Sequence, residues 1–175
     1  RVEESLRARR SHLLQRRSEK ASHAILEHMR RAQTAYDESR FDDAERELIE
    51  VVRINPRYVE AYRVLGDIYQ QRHEYPHARE VFTLVERLGG KNLELSMIFA
   101  DLARSEGKPV EALHHYQTAL TFEPRNPKLL NAALEVALEA SDATGALDLL
   151  ERLRMANPEN EKIAELEVKV AELSK

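Results

Sequence analysis

Alanine returns every 34 residues, at Ala44, Ala78, Ala112 and Ala146, and no other feature of this sequence restricts the fold so tightly. Proline keeps the same interval at Pro56, Pro124 and Pro158, with Gly90 standing where a proline between the first two would fall. Four residues after each alanine comes a larger apolar residue (Leu48, Phe82, Tyr116, Leu150). Three further on stand Val51, Val85, Ala119 and Leu153. A register held through four cycles implies four copies of one supersecondary unit. A unit that short cannot bury its apolar face alone and must stack on its neighbours.

Each cycle reads as two helices. In residues 59–92 the first runs Ala61-Tyr62-Arg63-Val64-Leu65-Gly66-Asp67-Ile68-Tyr69, with positions 62, 65, 66 and 69 on one helical face. Pro76 opens the second helix, where a missing N–H costs nothing, and Ala78, Val81, Phe82 and Val85 form its buried side. Small residues at Gly66 and Ala78 are expected to let the two backbones approach. Asn55-Pro56, Glu123-Pro124 and Asn157-Pro158 end the second helices, because proline disfavours helix in its predecessor. Composition agrees: the 175 residues hold only 5 Gly and 6 Pro, aromatics reach 6%, and 33% are charged. That mixture suits thin helical layers with much surface and argues against a β-sandwich. The absence of Cys excludes disulfides, thiolate catalysis and Cys-ligated metal. No apolar run approaches the roughly 18 residues of a membrane span.

On these residues the chain resembles the tetratricopeptide repeat family, a 34-residue helix–turn–helix unit. The family's pattern of aromatic, Leu-Gly, Tyr, Ala, aromatic matches Tyr62, Leu65, Gly66, Tyr69, Ala78 and Phe82 of the second repeat, while Val85 and Gly90 depart from it. The third repeat keeps Ala112, Tyr116, Ala119 and Pro124 but has Phe99-Ala100 for Leu-Gly and Ala103 for Tyr. The first and fourth match mainly through Ala44 and Pro56, and Ala146 and Pro158. The resemblance covers about 25–158 and implies an all-α, right-handed α-α superhelix, a solenoid of antiparallel helix pairs. The expected organisation is a basic N-terminal helix or arm at 1–24 and repeats at 25–58, 59–92, 93–126 and 127–158. A capping helix at 159–175 follows, its stripe made by Ile163, Leu166, Val170 and Leu173.

Three motifs imitate chemistry. His73-Glu74-Tyr75-Pro76-His77 matches the H-E-x-x-H zinc-protease pattern, but that chemistry needs one continuous helix, and Pro76 inside a helix costs about 3 kcal/mol. His114-His115 sits beside Tyr116 on a second helix, where one ring should face water. Leu88-Gly89-Gly90-Lys91 lacks the remaining phosphate-loop residues and reads as a helix C-cap. Paired acids such as Asp42-Asp43 suit a helix start, where the dipole favours negative charge. No catalytic set, metal site or cofactor is expected, and the chain is read as a non-enzymatic protein-binding scaffold.

In the resembled family the first helices line a concave, ligand-binding face. Carried over repeat by repeat, that face comprises Met29, Gln33, Tyr36 and Asp37; Arg63, Asp67, Gln70 and Gln71; Met97, Asp101 and Arg104; and Asn131, Glu135 and Leu138. With Glu60, Glu94, Ser105, Lys128 and Glu139 included, its seven acids outnumber three bases. A basic or mixed-polarity segment is therefore the expected partner, with Met29, Tyr36, Met97 and Leu138 as apolar anchors. The Lys/Asn/Arg clamp by which chaperone-binding members hold a C-terminal carboxylate is absent, since Met29 and Gln33, or Arg63 and Asp67, occupy its places.

The net charge of −4 divides into +4 for residues 1–24 and −8 for the rest. Arg9, Arg10, Arg16 and Arg17 flank a stripe of Val2, Leu6 and Leu13, and together with Arg7 they are the candidate contacts for an anionic surface. Arg9, Arg16 and Lys20 would occupy core heptad positions, which argues against a self-paired coiled coil. Two alternatives to the peptide-binding scaffold follow. One is self-assembly of like chains through the arm, giving a homo-oligomer. The other is the cytoplasmic part of a membrane-tethered assembly factor, contacting an anionic membrane surface. The chain opens on Arg1, as a piece of a longer protein would. The arm lacks aromatics and the body is acidic, so nucleic acid is not the expected partner.

Overall fold

The structure, a computed structural model, describes residues 2–173, without the Val2 side chain. These residues form α1 (Val2–Asp37), α2 (Phe41–Ile54), α3 (Val59–Gln71), α4 (Tyr75–Gly89), α5 (Leu93–Ser105), α6 (Pro109–Phe122), α7 (Pro127–Glu139), α8 (Ala143–Ala156) and α9 (Ile163–Leu173), with no strand among them. The helices fall into two compact units, Arg1–Leu88 and Gly89–Lys175. Of the sequence expectations, Arg1, the Val2 side chain and residues 174–175 lie outside the described residues.

The turn inside each repeat is built by one device used four times. Ser39, His73, Gly107 and Ser141, spaced 34 residues apart, all adopt positive φ, between 57° and 71°. At each, the next residue's N–H reaches back over the helix end: Arg40 to Ala35 O at 2.8 Å, Glu74 to Tyr69 O at 2.8 Å, Lys108 to Ala103 O at 2.8 Å and Asp142 to Ala137 O at 2.9 Å. These bonds satisfy carbonyls that a helix end otherwise leaves unpaired. Only Gly107 adopts that backbone without strain. Entry to the first helices repeats as well. Asn92, Asn126 and Asn160, again 34 apart, accept N–H bonds from Leu95, from Lys128 and Leu129, and from Lys162.

In the first unit α1 packs on α2 and α2 on α3. The core joins Ile25, Ala32 and Ala35 to Ala44, Leu48 and Val51, and these to Ala61, Leu65 and Ile68. The fully buried residues of α3 are Ala61, Leu65, Gly66 and Ile68; of the expected face, Tyr62 and Tyr69 pack at the edge of that core. Tyr62 and Tyr69 are half-buried, because each ring must keep its hydroxyl on a partner: Pro56 O at 3.1 Å and Glu45 Oε1 at 2.7 Å. Gly66 makes room for the Phe82 ring. A Cβ there would lie 2.5 Å from Phe82 Cζ. The arm is no separate element, since α1 continues unbroken from it into the first repeat.

In the second unit α5 packs on α6, α6 on α7, α7 on α8, and α9 on both α7 and α8. The core is almost wholly aliphatic, with Ala103, Leu113, Leu120, Leu130, Leu134, Val136, Leu149 and Leu153 buried around Tyr116. The capping helix buries Leu166 and Val170, while Ile163 and Leu173 stay half-exposed at its ends. The four periodic alanines and the larger residues four positions after them are all buried.

Candidate protein-binding surfaces

Helix periodicity separates the first helices into a buried seam and a polar face, and every residue assigned above to the concave face lies outside the seam. In the first unit Met29 and Tyr36 of α1 are half-buried, and Gln33 and Asp37 are exposed. Gln33 Nε2 donates to Asp37 Oδ1 at 2.7 Å. Arg63, Asp67 and Gln70 of α3 are half-buried and Gln71 is exposed. Arg63 faces Glu60 at 3.8 Å. Burial raises the Tyr36 hydroxyl above its ordinary pKa, and the Asp67 and Asp37 carboxylates push it further. Tyr36, Asp37 and Asp67 therefore share one acidic neighbourhood.

In the second unit Met97 of α5 is 38% exposed, and Asp101 and Arg104 beside it are also exposed. Both charges are already engaged. The Tyr116 hydroxyl donates to Asp101 Oδ1 at 2.8 Å, and Arg104 Nη2 donates to Glu139 Oε1 at 2.9 Å. Burial and the Asp101 carboxylate push Tyr116 up to about 12, while Arg104 pulls it back. On α7, Asn131 Nδ2 donates to Glu135 Oε1 at 2.9 Å, and Leu138 is half-buried.

Glu135, Leu138 and Glu139 line one side of a cavity of about 330 Å3, whose other side is Lys162, in the turn before the capping helix, and Glu165, Leu166 and Lys169 of that helix. Sequence reasoning treated that helix only as a lid. Its contribution was legible in the same period, since Lys162, Glu165 and Lys169 stand 34 residues after Lys128, Asn131 and Glu135. A second hollow, about 620 Å3, lies between α1 and α2 and was not anticipated. Its charges are largely spent on one another, as in Arg40–Asp43, Arg46–Asp43 and Arg53–Glu50.

The look-alike motifs resolve into turn and packing roles. His73 occupies the left-handed turn with its Nδ1 2.9 Å from the Tyr75 hydroxyl, and His77 lies in α4 with Nδ1 3.0 Å from Glu74 Oε2. The pair does not share one helix. His114 is exposed, and His115 stacks on Phe99 with centroids 5.4 Å apart. Gly90, at φ 82°, follows the end of α4 as a C-cap. Among the described residues no group of His, Asp and Glu is arranged to hold a metal, and no helix is long and apolar enough to cross a membrane.

The arm presents the opposite chemistry. Residues 3–20 are all exposed, with Leu6, Leu13 and Leu14 at 60%, 65% and 57%. Among the described residues Arg7, Arg9, Arg10, Arg16 and Arg17 have no ion-pair partner.

Stacked antiparallel helix pairs with a buried seam and a polar first-helix face define a helical-repeat scaffold. Two tetratricopeptide repeat models match residues 29–92 and 103–170. The chain belongs to the tetratricopeptide repeat family. Its fold is similar to that of a tetratricopeptide repeat protein from Parabacteroides merdae (TM-score 0.76, 17% identity, 87% of this chain and 60% of that one). It also resembles MamA (TM-score 0.69, 15% identity, 87% and 93%). A third likeness is to YrrB, described as having an unusual peptide-binding site (TM-score 0.64, 15% identity, 83% and 84%). The chain thus spans about three-fifths of the Parabacteroides protein. No curated protein matches it in sequence. Members of this family generally mediate protein–protein interaction and act as non-catalytic scaffolds.

Proposed function

We propose that the chain is a non-enzymatic scaffold whose first-helix faces bind a protein segment of basic or mixed polarity. The observation that carries this reading is the second unit's cavity, where Leu138 and Leu166 lie among three carboxylates, Glu135, Glu139 and Glu165, and two lysines, Lys162 and Lys169. An aliphatic floor whose mixed rim carries more carboxylates than ammonium groups fits a peptide that alternates an apolar side chain with Lys or Arg. Met97, exposed on α5, offers a second adaptable apolar contact. Asp101 and Arg104, engaged with Tyr116 and Glu139, hold the face in shape, so Met97 and Leu138 are the better residues to probe.

The test is a selection of random 12-residue peptides on the full chain, followed by titration of the selected peptides. Enrichment of Lys or Arg beside Leu or Phe is expected, with affinities in the micromolar range, about −8 kcal/mol. Met97→Asp with Leu138→Asp should weaken binding at least about tenfold, the effect of roughly 1.4 kcal/mol. Peptides that bind the double variant as well as the parent sink the reading.

A further inference from the structure

The arm's surface is sorted more sharply than its composition suggests. On a helix of 3.6 residues per turn, Leu6, Arg10, Leu13 and Arg17 follow i, i+4, i+7 and i+11 and form one stripe. Leu14 adjoins it, and Arg9, Arg16 and Lys20 form the flank. The opposite face carries Glu4, Ser11, Gln15, Ser18 and Glu19, with Gln15 donating to Glu19 at 3.1 Å. One side of this helix is therefore leucine set among cations, and the other is neutral to acidic. With no break between Val2 and Asp37, α1 has no turn at which the arm could fold back.

Two kinds of surface attract such a helix, and the placement of Arg10 and Arg17 chooses between them. They interrupt the leucine stripe at its centre. Burying the leucines in hydrocarbon would draw both guanidiniums, set between them, towards the apolar side of the headgroups, away from the water a charge requires. A protein face with carboxylates around an apolar floor accepts leucine and arginine together. The chain carries such a face in its own second unit. Residues 89–175 hold ten Lys/Arg against fifteen Asp/Glu, a net of −5, whereas residues 1–88 come to +1. The cavity between α7 and α9 places Glu135, Glu139 and Glu165 around Leu138 and Leu166. Two of its carboxylates are already paired, Glu165 with Lys169 and Glu139 with Arg104, but both pairs are exposed, and exposed pairs are weak enough for an incoming guanidinium to exchange into them.

We propose that the arm of one molecule docks on the α7/α9 face of a second copy, Leu13 and Leu14 toward Leu138 and Leu166, and Arg10 and Arg17 toward Glu135 and Glu139. The proposal rests on the binding role given above to that face, and names its occupant as this same chain. Such a contact joins different patches on the two copies, so molecules pair by exchanging arms or continue as an open chain. Salt weakens it, since the attraction is between exposed charges.

The experiment is multi-angle light scattering on the full chain across micromolar to several-hundred-micromolar protein, at about 50 mM and 500 mM NaCl. Mass above the 20.2 kDa monomer at low salt, falling towards the monomer at high salt, is expected. Arg10→Glu with Arg17→Glu should lower the association constant at least about tenfold, and so should Glu135→Lys with Glu139→Lys. Mixing the two double variants should restore association, because an acidic arm then meets a basic face, and that restoration shows both variants are folded. A monomer at every concentration overturns the proposal, as does association unaffected by either double variant. Loss on reversing the arm but not the face overturns the landing site. A monomer that co-sediments with vesicles containing 30% phosphatidylserine assigns the arm to lipid instead. If the chain stays monomeric while Met97→Asp with Leu138→Asp still abolishes peptide binding, the self-docking fails and the scaffold reading stands.

Discussion

The two units repeat the same helix pair but hold it together with different chemistry. In the first, polar side chains bridge helices. Glu45 of α2 accepts from the Tyr69 hydroxyl at 2.7 Å and from Arg72 at 2.7 Å, Arg72 also reaches Asp42, and His28 meets Glu47 at 2.7 Å. Neither Arg40 before α2 nor Tyr58 before α3 makes a side-chain cap bond. In the second unit α5, α7 and α8 each carry a capping Asn or Asp, though α6 does not, and buried Leu and Ala do most of the packing beside two polar bridges, Tyr116 to Asp101 and Arg104 to Glu139. Backbone geometry at the repeat turns is common to both. The period therefore constrains backbone and small-residue seam, and leaves open whether ion pairs or aliphatic burial supply the rest.

If that contrast is right, the largest single-site loss belongs to the second unit's core. Leu134, fully buried, should cost about 3 kcal/mol on truncation to Ala, through lost transfer energy and the cavity left behind. Thermal unfolding followed by circular dichroism measures it. A loss below about 1 kcal/mol would mean the core collapses around the gap and is looser than its packing implies.

Next comes Arg72→Met in the first unit, with an expected loss of about 2 kcal/mol at pH 7, because Glu45 loses its cationic partner while remaining partly buried. Burial pushes the Glu45 carboxyl up, but the Tyr69 and Arg72 hydrogen bonds outweigh it and hold it below its ordinary 4.5. A lowered pKa gives stability that is present above about 4.5 and lost as pH falls through the lowered value. The gap between parent and Arg72→Met should therefore narrow below pH 4.5. Chemical denaturation at pH 7 and pH 3.5 measures it, and a gap unchanged with pH would mean Arg72 acts through packing alone.

Asn126→Ala removes the α7 cap and should cost about 1 kcal/mol. A comparable loss from Tyr58→Ala could not come from capping and would mark that position as a packing site. Smallest is a gain: Ser39→Gly and Ser141→Gly relieve positive φ and should each add about 0.5–1 kcal/mol. Equal gains in both units would sharpen the conclusion that the turn geometry is shared, and denaturant midpoints decide it.

Much of this was legible in the linear chain. Ala44, Ala78, Ala112 and Ala146 declare the seam because a residue that must be small four times over shows as a period. The left-handed turns were not legible, since serine and histidine advertise no positive φ and only Gly107 does. On α3 the apolar face was legible through Leu65 and Gly66, but Tyr62 and Tyr69 pack only at the edge of the core because their hydroxyls require an exit to Pro56 and Glu45. Among the candidate surface residues, helix phase placed Met97 and Leu138 outside the seam. It gave no hint that Asp101 and Arg104 are committed to Tyr116 and Glu139, because those partners lie 15 and 35 residues away.

What the amino-acid order determined by itself is therefore the repeat, its length, its helices and the split between a cationic arm and an acidic second half, all consequences of local propensity and periodic burial. What only the tertiary structure decided is which charges are engaged. It also showed that the capping helix contributes to a cavity and that the arm continues α1 as one helix with its leucines exposed. Those facts depend on side chains brought together from separate turns, and no short-range pattern encodes such a meeting.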